Sequence, residues 1–249
     1  EEENIELFIK NFNEIFKDHP DYKFSILFAD NNSTDSSREI LKKICEKRKE
    51  IKYIRYAKNN GVMKSLFNAI KHVDTDACAV FDCDLQDDPK LLNEFIKNWE
   101  LEIKIIYGKR VKRKEIFLLG FFRNIFKKLS NYLRGYEIEI ESGAWFLDKE
   151  VIRQIRHDEY EPFLPLLINN LDFKSKGIEY ERIERKRGFS KFNFFNYLSY
   201  AAEGLVSGTI KPLRVSVYFS FLFGCISFFS AIYFLIAKFF LNIVFAEGV

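Results

Sequence analysis

The sequence predicts an α/β protein: a doubly wound sheet with helices on its faces and a membrane segment near the C-terminal end. Three observations lead there. Short apolar runs alternate with stretches of helical periodicity through roughly the first 110 residues. The apolar run Ala77-Cys78-Ala79-Val80-Phe81 leads straight into Asp82-Cys83-Asp84-Leu85-Gln86-Asp87-Asp88-Pro89, an acidic loop where a central strand should stop. Open α/β sheets bind ligands at such strand ends. Residues 215–237 contain no charge and are flanked by Arg214 and Lys238.

The elements follow in order. Residues 4–16 place Ile5, Phe8, Ile9, Phe12, Ile15 and Phe16 at helical spacing. Residues 23–29 read as a strand, and Ser33-Thr34-Asp35 supplies cap residues for a helix over 36–49. A strand over 51–56, a helix over 61–73 and the strand 77–82 come next. Pro89 suits the first turn of a helix over 90–99, and 103–108 forms a further strand. The 116–136 stretch gathers Phe117, Leu118, Phe121, Phe122, Ile125, Phe126, Leu129 and Leu133 into one stripe, with Arg123, Lys127, Lys128 and Arg134 elsewhere. That pattern suits a helix lying in a membrane interface, or one packed on its own sheet. Residues 141–148 read as an edge strand, and the aromatic stretch from 192 to 210 as a second amphipathic helix.

Composition narrows the class. With 39 basic and 36 acidic residues the net charge is +3, which gives no global reason for a nucleic-acid partner. Basic residues cluster locally at Lys109, Arg110, Lys112, Arg113 and Lys114, and again at Arg182, Arg185, Lys186, Arg187 and Lys191. At ~1.5 Å per residue, residues 215–237 reach about 35 Å, enough for a bilayer core of about 30 Å. The basic segments before this span place residues 1–214 in the cytoplasm. No N-terminal signal peptide is visible. Cys45, Cys78, Cys83 and Cys225 lack C-x-x-C spacing, so reduced thiols are expected.

Asp82 and Asp84, two residues apart in extended chain, can direct oxygens at one hard divalent ion; a solvated acidic turn is the simpler alternative. The whole string D-C-D-L-Q-D-D-P, however, resembles the D-x-D-L-Q-D-P-P signature of family 2 glycosyltransferases that use polyprenyl-phosphate acceptors. Asp30-Asn31-Asn32-Ser33-Thr34-Asp35 is similar to that family's D-D-G-S-x-D loop, and Lys58-Asn59-Asn60-Gly61 to its R-N-x-G turn. The run from Arg182 to Phe192 is similar to R-x-x-R-x-x-G-x-S-K-aromatic, and the blocks stand in family order.

This resemblance implies a GT-A Rossmann-like mixed sheet with flanking helices, amphipathic interfacial helices and a C-terminal transmembrane helix. The expected division is a cytoplasmic GT-A catalytic domain over 1–192 lacking its first strand, a juxtamembrane amphipathic helix over 193–214, a transmembrane helix over 215–237, and the start of a loop over 238–249. Both ends are expected to be cut relative to the family. It further implies inverting, metal-dependent transfer from a nucleotide sugar, a UDP-sugar, to undecaprenyl phosphate at the bacterial inner membrane. Asp30, Asn31, Asn59, Gly61 and Asp82 would hold the nucleotide sugar. Asp84, Asp82 and Gln86 would hold Mg²⁺ or Mn²⁺. Arg110, Arg123, Arg185, Ser190 and Lys191 would hold the acceptor phosphate, with Asp82, Asp84 and Arg185 as the catalytic set.

The family's later G-D-F-R-L-x-D motif is replaced here by Glu141-Ser142-Gly143-Ala144-Trp145-Phe146-Leu147-Asp148, where Gly143 stands for the Asp and Trp145 for the Arg, with Glu141 a candidate to substitute for the carboxylate. A sugar hydroxyl needs a general base, whereas a lipid phosphate is already anionic and needs cations. Loss of the candidate base therefore favours a phosphate acceptor. Transfer to a sugar hydroxyl in cell-surface polysaccharide synthesis, and a catalytically silent membrane scaffold, are the alternatives. A homo-oligomer is left open.

Overall fold

The computed structural model describes residues 2–111, 143–157, 163–183 and 210–240, together with positions 120, 124, 125, 127, 128, 130–132, 202 and 204. The elements are α1 (Ile5–Lys17), β1 (Ile26–Asp30), α2 (Ser37–Lys47), β2 (Ile51–Arg55), α3 (Val62–Lys71), β3 (Ala77–Val80), α4 (Leu91–Trp99), β4 (Ile105–Arg110), β5 (Trp145–Asp148), α5 (Lys149–His157), α6 (Leu164–Asn170), β6 (Ser175–Tyr180) and α7 (Lys211–Phe239). The expected interfacial helices at 116–136 and 193–210 lie mostly outside the described residues.

Among the described residues the strands form two sheets rather than the single one expected. β1 and β2 pair in parallel, and the other four run in the order β3-β5-β4-β6. β5 is antiparallel to both β3 and β4, while β4 and β6 are parallel. The edge-strand reading of 141–148 is thus corrected. β5 lies between two partners and all four of its residues are buried, because Trp145-Phe146-Leu147 carries enough apolar bulk for both faces of the sheet.

Helical periodicity explains the packing. Ile5, Phe8, Ile9, Phe12 and Ile15 make one buried stripe on α1. Phe8, Phe12 and Ile15 join Leu91, Leu92, Phe95 and Ile96 of α4 in one core cluster, which also takes in Phe146. On the opposite face Phe67 and Ile70 of α3 pack with Val151, Ile152 and Ile155 of α5 around Trp145 and Leu147. Each such buried side chain contributes roughly 1.5–3 kcal/mol relative to exposure. The cap of α2 also differs in detail: the Asp35 carboxylate accepts the Ser37 N–H at 3.2 Å, while Ser36 is the boundary residue and makes no side-chain cap bond.

α7 runs for 29 residues. The most apolar stretch of its segment Leu213–Phe239 has a mean hydropathy of 2.1, and none of that stretch is buried. A helix apolar all round whose most apolar stretch is left exposed by the described residues suits another apolar medium.

Candidate active site

One edge of the four-stranded sheet collects polar residues. β3, β4 and β6 finish there, and β5 starts there because it runs the other way. Val80 and Tyr107 both pair with Trp145; two residues further on lie Asp82, Lys109 and Gly143. Arg110 pairs with Tyr180, which places the last residues of β4 and β6 side by side.

The acidic loop is pinned by its non-acidic residue. Cys83 packs against the α1–α4 cluster and against a further cluster of Ile5, Ile9, Leu41 and Ile51, which anchors the loop between Asp82 and Asp84. Leu85 takes a left-handed conformation (φ 57°), and the Asp84 carboxylate accepts the Gln86 N–H at 3.1 Å. These local features make the tight turn that brings Asp82, Asp84 and Asp87 together.

Arg182, two residues past β6, reaches all three carboxylates. Its Nη2 lies 3.7 Å from Asp82 Oδ2 and 3.5 Å from Asp84 Oδ2, and its Nε lies 3.4 Å from Asp87 Oδ1. Asp87 is the deepest of the three, with 0% of its side chain exposed. It accepts the Tyr180 hydroxyl at 2.6 Å and faces Arg110 Nη2 at 3.7 Å. Arg110 Nε in turn donates to the Tyr180 oxygen at 3.1 Å. Gly143 leaves room for that arrangement, since a Cβ there would come within 3.3 Å of the Arg110 guanidinium.

The electrostatics follow from this crowding. Desolvation in the cleft, then the like charges of Asp84 and Asp87, push Asp82 up to about 6, against the pull of Arg182 and Arg110. Because 48% of the Asp82 side chain is open to water, we assign the shift more to charge crowding than to burial. Burial would lower the Arg110 pKa, but Tyr180, Asp87 and Asp82 reverse that and raise it. Burial, the Asp87 hydrogen bond and the Asp87 charge hold the Tyr180 hydroxyl at about 12, so it remains a donor.

A second polar group lies at the end of β1. Asp30 accepts the Ser33 N–H at 2.7 Å and the Tyr53 hydroxyl at 2.9 Å, with Arg55 Nε at 3.5 Å. Burial acts to raise its pKa, but the Ser33 and Tyr53 hydrogen bonds and Arg55 outweigh it and hold the carboxyl below its usual value. Asn31 accepts the Asn60 N–H at 3.0 Å and donates to Asn59 at 2.6 Å, while Asn59 accepts the Gly61 N–H at 3.0 Å. Gly61, with φ 85°, then begins α3, a conformation that costs glycine little. Asp30 and its neighbour Asn31 are thus joined through Asn59 to Gly61.

Asp82 and Asp84 converge on a single guanidinium nitrogen, so a positive charge fits between them. They are hard oxygen donors suited to Mg²⁺ or Mn²⁺, which commonly take one or two carboxylates and complete their shell with water and substrate phosphate. Among the described residues no group of three or more His, Cys, Asp or Glu could hold a metal alone. The Gln86 side-chain amide donates to the Ile183 carbonyl at 3.3 Å, and the Gln86 backbone carbonyl accepts the Ile183 N–H at 2.9 Å.

Arg123, Glu141, Arg185, Ser190 and Lys191 lie outside the described residues. Asp87, Tyr180 and Arg182 were not singled out from the sequence as site residues. The third Asp of D-C-D-L-Q-D and the first Arg of the basic run carried a signal; Tyr180 carried none. Trp145, standing where the motif has Arg, is 1% exposed and serves the core.

Residues 1–156 match the family described as glycosyl transferase family 2. The putative glycosyltransferase CsbB of Bacillus subtilis (strain 168) is 28% identical over 220 residues, covering 86% of this chain and 66% of that protein. The bactoprenol glucosyl transferase of Shigella phage SfX is 29% identical over 231 residues, covering 92% and 75%. The chain thus spans about two thirds to three quarters of the length of these relatives. Among solved structures, the mannosyltransferase PcManGT from Pyrobaculum calidifontis, in complex with GDP-Man and Mn²⁺, superposes with a TM-score of 0.56 at 15% identity, covering 86% of this chain and 61% of that one. That likeness establishes the expected GT-A-like mixed α/β fold. Since the family match extends over more than half of its residues, the chain belongs to glycosyl transferase family 2.

Proposed function

We propose that this chain catalyses inverting transfer of a sugar from a UDP-sugar to polyprenyl phosphate, at the cytoplasmic face of a bacterial inner membrane. The observation that carries the reading is the convergence of Asp82 and Asp84 with Arg110 and Arg182 at one sheet edge. Carboxylates for a cation and guanidiniums for anions are what transfer between a nucleotide diphosphate and a lipid phosphate requires. The bactoprenol glucosyl transferase likeness along 92% of the chain supports the lipid acceptor.

In this reading Asp82 and Asp84 hold Mg²⁺ or Mn²⁺, with Gln86 beside them. When bound, the ion would offset the charge that develops on the departing diphosphate. The rim of Asp30, Asn31, Asn59 and Gly61 shapes the nucleotide pocket. Arg110 and Arg182, joined by Arg185, Ser190 and Lys191 of the loop that follows and by Arg123, receive phosphate. The acceptor needs no deprotonation, which agrees with a segment where Gly143 and Trp145 replace the family's charged pair. Domain organisation follows the expectation of a catalytic domain over 1–192, a juxtamembrane helix over 193–214 and a span over 215–237. α7 would hold the sheet edge close to the headgroups.

The test uses membranes containing the full-length protein, added undecaprenyl phosphate and a panel of labelled UDP-sugars. A chloroform-soluble, acid-labile labelled product is expected. Label appearing only in water-soluble glycan would sink the lipid-phosphate reading, and no label from any donor would favour the silent scaffold.

A further inference from the structure

Arg182 is held in the acidic loop by charge rather than by well-made hydrogen bonds. Its three contacts with carboxylate oxygens measure 3.4, 3.5 and 3.7 Å, beyond the roughly 2.7–2.9 Å of a good charge-assisted bond. Its Nε is buried and makes no hydrogen bond, and neither does Asp87 Oδ2. The backbone beside it is firmly clipped, because Ile183 exchanges two hydrogen bonds with Gln86. The side chain is therefore the movable part of a fixed strand end.

Counting charge explains what would move it. Among the described residues, Asp82, Asp84 and Asp87 face Arg110 and Arg182 at this edge. A divalent ion between Asp82 and Asp84 would neutralise both. Arg182 would then lose two of its three attractions and keep only Asp87.

We propose that Arg182 is an exchangeable counter-cation: it occupies the Asp82–Asp84 pair when no metal is bound and is displaced by the metal, leaving its guanidinium anchored on Asp87 to receive substrate phosphate. This rests on the reading of Asp82 and Asp84 as the metal pair. It makes metal binding and phosphate recognition two halves of one exchange. It also disfavours phosphate capture at a site still lacking its metal.

Mn²⁺ binding to the full-length protein in detergent, followed by electron paramagnetic resonance without nucleotide, tests this directly. If Arg182 fills the pair about nine-tenths of the time, Arg182→Gln should bind Mn²⁺ roughly tenfold more tightly than wild type. Arg182→Lys should bind severalfold more tightly, because one ammonium cannot span both carboxylates and Asp87. The Mn²⁺-induced rise in melting temperature should also be larger in either variant than in wild type. Unchanged or weaker Mn²⁺ binding in both variants overturns the exchange, while loss of binding in Asp84→Asn leaves the metal pair standing. Mn²⁺ binding that is absent from wild type, or indifferent to Asp84→Asn, removes the metal pair and the exchange together.

Discussion

Replacing Asp87 by Asn keeps the shape of the side chain and removes one fully buried negative charge. That charge faces Arg182 Nε at 3.4 Å and Arg110 Nη2 at 3.7 Å, and it accepts the Tyr180 hydroxyl at 2.6 Å. Removing one partner of a buried ion pair typically costs about 3–5 kcal/mol. Two features reduce the loss here. Arg182 still has Asp82 and Asp84, and an amide oxygen can still accept from Tyr180, though a neutral acceptor is worth less than an ionised one. Repulsion among the three acids is also relieved. We expect a net loss of about 2–3 kcal/mol, which for a chain of this size lowers the melting temperature by about 4–12 °C.

Asp87→Asn also frees the two guanidiniums from their common anchor. If about 1.4 kcal/mol of the loss falls on their placement, KM for polyprenyl phosphate rises about tenfold while that for the UDP-sugar changes little. Thermal unfolding in detergent and acceptor-dependent kinetics on the full-length enzyme are the assays. Tyr180→Phe, which keeps the carboxylate but removes the hydroxyl that links it to Arg110, should shift the same KM in the same direction by less. A melting temperature unchanged within about 1 °C, or equal loss of donor and acceptor affinity, would refute Asp87 as the anchor.

Three further outcomes are expected. Asp84→Asn should abolish turnover while leaving the far-ultraviolet circular dichroism spectrum and membrane insertion intact; normal rates would remove Asp84 from the metal pair. Asp30 has a lowered pKa in the folded state, so its stabilising contribution is complete above the unfolded value of about 3.9 and is lost as pH falls through the folded value. Wild type should therefore lose melting temperature more steeply than Asp30→Asn below about pH 4, and parallel curves would contradict this. Trp145→Ala should cost about 3–5 kcal/mol, measured by thermal unfolding, because a side chain 1% exposed leaves a large cavity between α3 and α5.

Local pattern determined much of this protein. The alternation of apolar runs and amphipathic stretches fixed the order of elements up to β4 within a few residues, because each helix buries one stripe and each strand a short apolar run. Residues 215–237 declared themselves through an unbroken run without charge, and α7 contains them. The acidic string and the two asparagine-containing loops were legible because turn chemistry and metal chemistry are both local in sequence.

Tertiary structure decided the rest. Nothing in Trp145-Phe146-Leu147 reveals which strands will flank it, so the central, antiparallel place of β5 could be seen only once β3 and β4 were paired. Two separate sheets instead of one are likewise a matter of pairing across distance. Asp87 lies 93 residues before Tyr180, with Arg182 two residues further on, and only the pairing order β3-β5-β4-β6 brings the acidic loop to the end of β6. Charge interactions depend on distance in space, and the chain order of these residues does not encode it. For that reason the sequence named the acids, while the fold chose the cation that faces them.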